Sequence, residues 1–547
     1  MKRINLILLS LLICFTACQQ ATEQTEFTFT TEGLEKHIVT LASDEFMGRM
    51  PFTEGEKKTL TYLEKEFKAL GLAPGNGDSY MQEVPMVEIT TTAASQMTVN
   101  SKKGNITLEG LKDYVIWTER RDESIELRNE DLVFAGFGVV APEYGWNDYE
   151  GLDVKDKIVV VFVNDPGFGT GDSTFFKGNT MTYYGRWTYK FEEAARQGAK
   201  GCLIVHDDVP AGYGFWVVQN NWNSSRLYLD PRGKEQYQCA AIGWVSNPTA
   251  RKLFEAAGLN YAQELSAAHK SGFRGKPMNL KASTSMQVQA RYDKSYNAIA
   301  KIEGSTRANE YIIYTAHWDH LGIGKPDESG DSIYNGALDN ASGTAALLEI
   351  AKAFATGKTP ERTVVFLAVT AEEQGLWGSA WYAENPVYPK ERTVANINMD
   401  GINPYGIMHD IVLVGMGQSE LEDYLREEAE KAGRYVSPEP NPVAGYYFRS
   451  DHFNFAKVGI PALYTSTGTD HHEKGHAYGK QLQDEYTAKY YHRPSDQYDT
   501  ERWNLDGAVD DVLLLFNVGK RIANTDQWPS WKEGSEFKAV RDAYMKK

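Results

Sequence analysis

The stretch "RTVVFLAVTAEE", residues 362–373, combines a run of apolar residues with two adjacent glutamates at its end. The apolar run is rich in β-branched residues and is typical of a strand that is buried on both faces of a sheet. Glu372 and Glu373 repel each other, and neighbouring side chains on a strand point to opposite faces. We therefore expect the two carboxylates to face different partners and to have separate tasks.

Three other apolar runs have the same character, and helical patterns separate them. They are "EYIIYTAH" (310–317), "VANINMD" (394–400) and "IPALYTST" (460–467). Residues 339–356, "DNASGTAALLEIAKAFAT", have the polar start and the apolar spacing of a helix, and a glycine follows them. Strands that alternate with helices predict an α/β fold with a mostly parallel mixed sheet flanked by helices.

Polar side chains with metal-binding or acid–base chemistry lie where these predicted strands end. His317, the Glu372–Glu373 pair and Asp400 each follow a strand, and Asp339 begins the long helix. Each position alone has an ordinary structural explanation, since an aspartate before a helix is usually an N-cap. Open α/β sheets, however, bind ligands outside the carboxyl ends of their strands. Their joint placement predicts one site at this edge.

Five separated motifs give the chain a family resemblance. They are "HWDHLG", "LDNASG", "AEEQGLWGS", "NMDG" and "YYHRPSDQYD". In this order they resemble the M28 family of zinc-dependent exopeptidases, over about residues 30–525. The resemblance implies a phosphorylase/hydrolase-like zinc exopeptidase fold that acts on peptide substrates. "AGFGVVAPEYGWNDYEG" and "WTYKFEEAARQGAKGCLIVHD" resemble a β-rich protease-associated (PA) domain inserted in some members.

Carried over to this sequence, the resemblance implies two zinc ions per chain. His317 and Asp400 would bind one ion, Glu373 and His492 the other, and Asp339 would bridge both. Several histidines compete for the role of His492, and the segment "YYHRPSD" favours it. Histidine and carboxylate ligands are typical of catalytic zinc, whereas structural zinc sites are often rich in cysteine.

The resemblance also implies roles for three residues beside the ligands. Asp319 matches a carboxylate that fixes the tautomer of the His317 imidazole and raises its basicity. Glu372 would be the general base, which takes a proton from water and passes it to the leaving amine. Tyr491 matches a tyrosine that stabilises the oxyanion in some members, although a packing role is an open alternative.

The first 18 residues, "MKRINLILLSLLICFTAC", have the basic start, apolar core and small residues of a secretory signal. "FTAC" resembles a bacterial lipobox, so we expect export and a lipid on Cys18 that attaches the protein to the cell envelope, in the periplasm or at the outer membrane surface. The expected segments after the signal are a tether (19–30), the first part of the catalytic domain (31–127), the PA-like insertion (128–285), the catalytic domain with the metal site (286–525) and a C-terminal helix or tail (526–547).

The net charge indicates which classes of partner to expect, and the cysteine content indicates which disulfide is possible. The formal net charge is −17, which is unlike the basic surfaces of nucleic-acid-binding proteins, so no nucleic-acid partner is expected. An exported location permits a disulfide between Cys202 and Cys239, and the sequence leaves this open together with the oligomeric state. The histidine-rich stretch 469–476 is expected to be a solvated rim of the site rather than a further metal site.

Three functions remain open at this point. An aminopeptidase that removes N-terminal residues from peptides agrees best with the motifs. A carboxypeptidase or a glutaminyl cyclase-like enzyme on the same fold is an alternative, and Arg449 could help a carboxypeptidase to hold a terminal carboxylate. The third is a binding ectodomain on an inactive peptidase fold. Such proteins lose ligands, whereas the whole ligand set and the base are present here.

Overall fold

The computed structural model describes residues 27–220, 222–234 and 236–546. The predicted signal peptide and the first part of the predicted tether lie outside these residues. The strands are β1 (Ala73–Pro74), β2 (Met81–Ala93), β3 (Gln96–Ser101), β4 (Gly104–Glu109), β5 (Tyr114–Trp117), β6 (Ser124–Phe134), β7 (Val140–Ala141), β8 (Trp146–Asn147), β9 (Ile158–Phe162), β10 (Gly201–Val205), β11 (Ser225–Leu229), β12 (Ala241–Val245), β13 (Lys276–Ile302), β14 (Arg307–His317), β15 (Gly322–Ile323), β16 (Ile333–Tyr334), β17 (Arg362–Val369), β18 (Thr393–Asn398), β19 (Asp410–Leu413), β20 (Tyr435–Pro438) and β21 (Ala462–Thr467).

The α-helices are α1 (Thr31–Leu41), α2 (Glu54–Ala69), α3 (Trp187–Arg196), α4 (Asp208–Ala211), α5 (Phe215–Gln219), α6 (Asn247–Ala256), α7 (Tyr261–Ala268), α8 (Gly343–Thr356), α9 (Trp377–Glu384), α10 (Leu421–Lys431), α11 (His452–Lys457), α12 (Gly475–Lys489), α13 (Asp506–Ala523) and α14 (Lys538–Met545). Among the described residues, no helix combines the length and apolarity needed to cross a bilayer.

The predicted mixed sheet flanked by helices is confirmed. Its strand order is β13–β17–β14–β18–β21–β19–β20, in which β17, β14, β18 and β21 are parallel. Every residue of β17 is buried, as its unbroken apolar run predicts. Helices α1, α2, α8 and α13 contribute to the hydrophobic core on one face, and α9 and α11 pack on the other. The carboxyl ends of β14, β17 and β18 therefore lie side by side at one edge of the sheet.

A second unit has its own hydrophobic core, and it begins earlier in the chain than predicted. This core includes Val87, Val99 and Ile116, which pack in one cluster with Phe134 and Phe254. The predicted boundary at residue 128 is therefore wrong, because β3, β4 and β5 belong to the second unit. Residue 128 instead lies inside β6, which forms a parallel group with β9, β10 and β12.

The second unit is more helical than the β-rich insertion that the sequence predicts. Helices α3, α6 and α7 contribute buried residues to it, as the amphipathic pattern of "TYKFEEAARQ" indicates for α3. Strand β2 pairs along its whole length with residues 286–298 of the long strand β13, and this pairing joins the two units. Cys202 and Cys239 are both free and buried in this unit, so they form no disulfide.

Arg49 ties the N-terminal segment to the edge of the sheet where the strands end. Its guanidinium is buried and donates hydrogen bonds to the carbonyls of Leu41, Trp318, Asn335 and Gly336 at 2.6 to 2.9 Å. Trp318 directly follows β14, and Gly336 precedes the loop that leads into α8. The arginine therefore fixes two loops whose next residues belong to the site described below.

Candidate metal centre

His317 is the last residue of β14, and its ring is held in one orientation. Its Nδ1 lies 3.1 Å from the backbone oxygen of Asp319, and the hydroxyl of Thr344 donates to the His317 backbone oxygen at 2.8 Å. With Nδ1–H donated to the carbonyl, Nε2 is the atom that offers a lone pair to the space beyond the strand ends. The side chain is buried.

Asp339 lies in the loop that enters α8, where the chain leaves helical conformation. Its φ and ψ are −107° and 96°. Its backbone N–H donates to Asp496 Oδ2 at 3.2 Å, and that of Leu338 donates to Asp496 Oδ1 at 3.1 Å. Asp496, in the motif "YYHRPSDQYD", thus holds the loop so that the Asp339 carboxylate projects into the site instead of capping the helix.

The two oxygens of the Asp339 carboxylate face two different histidines. Oδ1 lies 3.3 Å from His317 Nε2, and Oδ2 lies 3.2 Å from His492 Nε2. On the first side, Asp400 Oδ1 lies 3.2 Å from the same nitrogen of His317. On the second side, Glu373 Oε2 lies 3.1 Å from His492 Nε2. The five residues that the resemblance implies as ligands are therefore brought together, in two halves that share one carboxylate.

Glu372 and Glu373 diverge as expected, although strand alternation is not the reason. The strand ends at Val369, and Ala371 has a left-handed φ of 53°, which turns the chain. Glu372 Oε2 then lies 4.0 Å from His317 Nε2, whereas Glu373 faces His492. A left-handed alanine is strained, and such strain is commonly held at functional sites.

The Asp319 carboxylate lies beside His317 at an ion-pair distance, but it makes no hydrogen bond to the ring. The nearest carboxylate oxygen lies 3.8 Å from His317 Nδ1, and the backbone oxygen of Asp319 takes that hydrogen bond. The carboxylate instead accepts the backbone N–H groups of Glu372 at 3.1 Å and Glu373 at 3.4 Å. Asp319 therefore positions the histidine with its main chain and the two glutamates with its side chain.

His320 belongs to the site and was missed from the sequence. It is buried, and its Nδ1 lies 2.6 Å from Glu373 Oε1, the oxygen that faces away from His492. The spacing "HWDH" was the available signal. Two groups of side chains present ligand atoms within 4.8 Å of one another: His317, Asp339 and Asp400, and His320, Asp339 and Glu373.

Tyr491 and the histidine-rich stretch lie at the margin. The Tyr491 ring is 47% exposed and stacks on the His492 ring with centroids 3.9 Å apart. In the stretch 469–476, His472 packs against His409 with ring centroids 4.8 Å apart, and His476 lies 3.6 Å from Asp470. Within the described part of the chain, the two groups with ligand geometry include neither this stretch nor His492, which reaches Asp339 and Glu373 at 3.2 and 3.1 Å.

The charges of the site push the pKa values of the two glutamates apart. Burial raises the pKa of Glu372 well above its ordinary value, and the charges of Asp400 and Glu373 raise it further against the opposing effect of His317. Burial and Asp339 also act to raise the pKa of Glu373, but His492 and His320 lower it to about 2. Neighbouring carboxyl groups whose pKa values diverge are the usual mark of separate acid–base roles.

Comparison with known proteins finds a matching family and several similar sequences. Residues 297–517 match the family described as "Peptidase family M28". A probable zinc metalloprotease of Pyrenophora tritici-repentis (strain Pt-1C-BFP) is 25% identical over 240 residues, which cover 42% of this chain and 51% of the relative. Aminopeptidase NAALADL1 of Mus musculus is 33% identical over 130 residues, which cover 23% of this chain and 16% of the relative.

A solved structure shares the fold over nearly the whole chain. An aminopeptidase from Aneurinibacillus sp. strain AM-1 is 19% identical, with a TM-score of 0.50, and the match covers 91% of this chain and 95% of that chain. The chain spans about half the length, or less, of the curated relatives it matches, with 51%, 21% and 20% covered in the first three.

Without metal, the histidines of the site are expected to make stability depend on pH. Burial lowers the pKa of His492, but Glu373 and Asp339 raise it well above the ordinary value. A folded pKa above the unfolded value of about 6.5 gives stability that is fully present below that pH and is lost as pH rises through the folded pKa. The melting temperature of EDTA-treated protein should therefore exceed that of His492→Asn at about pH 6, by a margin that shrinks as the pH rises through the raised folded pKa.

His476→Asn is the matched control, because the His476 side chain is 63% exposed and lies outside the site. It should follow the wild type at every pH. A difference between wild type and His492→Asn that stays constant with pH would contradict the proposed charge state of the metal-free site.

Proposed function

We propose that this chain, whose residues 297–517 carry a peptidase M28 domain, is a zinc-dependent exopeptidase that removes N-terminal residues from peptides. The observation that supports it most strongly is the placement of Asp339. Its two carboxylate oxygens lie 3.3 Å from His317 Nε2 and 3.2 Å from His492 Nε2. These two histidines are far apart in the sequence, near opposite ends of the matched segment 297–517. A carboxylate shared in this way is suited to bridging two metal ions.

The donor set fits two zinc ions. His317 and Asp400 would hold one ion, His492 and Glu373 the other, and Asp339 would hold both. Imidazole nitrogens and carboxylate oxygens are ordinary zinc ligands, and a site with few protein ligands per ion leaves positions open for water and substrate. Three carboxylates in contact with two imidazoles also provide the negative charge that a pair of dications needs.

When bound, the zinc ions would polarise the substrate carbonyl and lower the pKa of a water molecule. Glu372 would take the proton from that water as it attacks, and would give the proton to the leaving amine. Its position supports this role: Oε2 lies on the His317 side of the site, 4.0 Å from His317 Nε2. The Asp319 carboxylate accepts the backbone N–H of Glu372. This hydrogen bond holds the main chain of Glu372 and so helps to position its carboxylate.

Tyr491 would contribute a hydroxyl to the oxyanion that forms at the attacked carbonyl. This role is supported by the stacking of its ring on His492 and by its partial exposure. A phenol O–H can donate a hydrogen bond to developing negative charge.

Removal of N-terminal rather than C-terminal residues is the finer part of the proposal. The names of the matched relatives, an aminopeptidase and zinc metalloproteases, favour peptide hydrolysis. A glutaminyl cyclase-like enzyme would need one zinc ion, which the bridging position of Asp339 disfavours.

We further propose that the second unit is a PA-like domain and that a lipid on Cys18 attaches the protein to the cell envelope.

Glu372→Gln should abolish turnover while zinc stays bound. The amide cannot accept a proton, so we expect kcat to fall by about 10²- to 10⁴-fold, with zinc content unchanged. The measurement is release of the first residue from free and N-acetylated dipeptides, beside metal analysis of the same sample. Glu473→Gln, an exposed glutamate of the 469–476 stretch, is the matched control and should retain wild-type activity.

Cleavage of N-acetylated peptides from their carboxyl end would replace the aminopeptidase with a carboxypeptidase. Full zinc loading with wild-type activity in Glu372→Gln would refute the role of this glutamate. Absence of both zinc and turnover in the wild type would favour the binding ectodomain.

His320→Ala should weaken zinc binding, because it removes the contact that holds the proposed ligand Glu373. The hydrogen bond from His320 Nδ1 to Glu373 Oε1 is 2.6 Å long, and loss of such a supporting contact typically costs about 10- to 100-fold in metal affinity. Competition with a chromophoric chelator measures the affinity. His320→Asn can restore a hydrogen-bond donor near the position of Nδ1, so it should recover part of the lost zinc affinity. His476→Ala is the control outside the site and should bind zinc with wild-type affinity. Equal affinities in wild type and His320→Ala would contradict this role.

A further inference from the structure

We infer that the second unit holds the glutamate turn, residues 371–377, in its working shape through the main chain of Leu227. The side chains of Gln374 and Trp377 make this contact and are therefore positioning residues for Glu372. This inference rests on the proposed peptidase function. It gives the second unit a task in the chemical step itself.

The glutamate turn has a tight and strained backbone. The backbone N–H of Trp377 donates to the carbonyl of Ala371 at 3.1 Å and so closes the turn. Inside it, the backbone N–H of Leu376 donates to the carbonyl of Glu372 at 2.9 Å. Ala371 and Leu376 both have left-handed φ values, 53° and 63°. Such conformations are costly for residues with a Cβ atom and persist only where the surrounding structure enforces them.

Leu227 of the second unit supplies part of that surrounding structure. It lies in β11, which pairs with β2, and the neighbouring Tyr228 belongs to the core of the second unit. The backbone carbonyl of Leu227 accepts the indole N–H of Trp377 at 2.6 Å. Its backbone N–H donates to Oε1 of Gln374 at 3.4 Å. Both polar main-chain groups of Leu227 therefore bond to side chains of the glutamate turn.

Apolar packing reinforces these two hydrogen bonds. The Trp377 ring lies against Tyr228, with centroids 5.8 Å apart, and packs against the core of the second unit. Leu227 and Ala371 are both buried, in one apolar cluster with residues of β2. A partly buried indole N–H usually finds an acceptor, and here the acceptor belongs to the other unit. The shape of the glutamate turn thus depends on the second unit.

The two ends of the glutamate turn are held by different units. At its start, the Asp319 carboxylate of the catalytic domain accepts the backbone N–H of Glu372 at 3.1 Å. At its end, Leu227 accepts the indole N–H of Trp377. Because Trp377 bonds back to Ala371, a shift at the end of the turn is passed to Glu372. Displacement of a catalytic group by about 1 Å can cost about 100-fold in rate.

Two substitutions of Trp377 separate its hydrogen bond from its packing. Trp377→Phe keeps a large ring but removes the N–H, whereas Trp377→His keeps a ring N–H near the position of Nε1 and fills less space. On the zinc-saturated full chain, kcat for a free dipeptide should fall by about 10- to 100-fold in Trp377→Phe, with KM within about twofold of the wild-type value. Trp377→His should retain more of the wild-type kcat. A role in packing alone predicts the opposite order.

Gln374→Met tests the second hydrogen bond without changing the tryptophan. The thioether is similar in length but is a weak acceptor, so kcat should fall, by less than in Trp377→Phe. Trp381→Phe is the matched control, because Trp381 lies one turn further along α9 and packs in the same apolar cluster. It should keep the wild-type kcat and KM. The zinc content of every variant is measured on the same samples.

A wild-type kcat in Trp377→Phe would overturn the inference, as would a zinc-loaded Trp377→His that is less active than Trp377→Phe. If the tryptophan variants fail to bind zinc, Gln374→Met decides: a lower kcat supports the inference, and a wild-type kcat overturns it. A wild-type protein that hydrolyses no free dipeptide contradicts the proposed function instead. Amide hydrogen exchange of residues 371–377 then decides the inference: faster exchange in Trp377→Phe than in the wild type and Trp381→Phe supports it, and equal exchange overturns it.

Discussion

The shared carboxylate of Asp339 is the constraint on which the arrangement of the catalytic domain depends. One oxygen must meet His317, which is fixed at the end of the central strand β14, and the other must meet His492, which follows α12 far along the chain. Both contacts are possible because Asp496, four residues after His492, accepts the backbone N–H groups of the Asp339 loop. The short segment that contains His492 and Asp496 thus supplies the histidine and also holds the Asp339 loop.

Collecting this many charged groups in a buried site is expensive, and the surrounding structure offsets the cost. Isolated buried charges are strongly destabilising unless they are paired and hydrogen-bonded. Here the carboxylates contact imidazoles, and the buried guanidinium of Arg49 adds a positive charge near Asp319, Asp339, Asp496 and Glu373. The same guanidinium donates hydrogen bonds to four backbone carbonyls. Arg49 therefore stabilises the loops of the site and also offsets the negative charge of its carboxylates.

The sequence was sufficient for the sheet and for the proposed ligands, because those depend on strong local patterns. Unbroken apolar runs predict buried strands, and polar residues at their ends predict one edge, which is where His317 and Asp400 lie. Contacts decided by tertiary structure could not be predicted in the same way. The Asp319 carboxylate accepts the backbone N–H groups of Glu372 and Glu373, which follow the left-handed Ala371, and His320 contacts Glu373. The predicted boundary at residue 128 is wrong because pairing with distant strands assigns β3 to β5 to the second unit, and such pairing is not visible in the local sequence.

We expect the Asp339 carboxylate to lie between two zinc ions, and anomalous X-ray scattering at the zinc absorption edge can locate both ions. Crystals of the zinc-loaded protein should show two peaks per chain, one beside His317 and Asp400 and one beside His492 and Glu373, with Asp339 between them. A single peak at this site, or peaks only at the 469–476 stretch, would contradict the account.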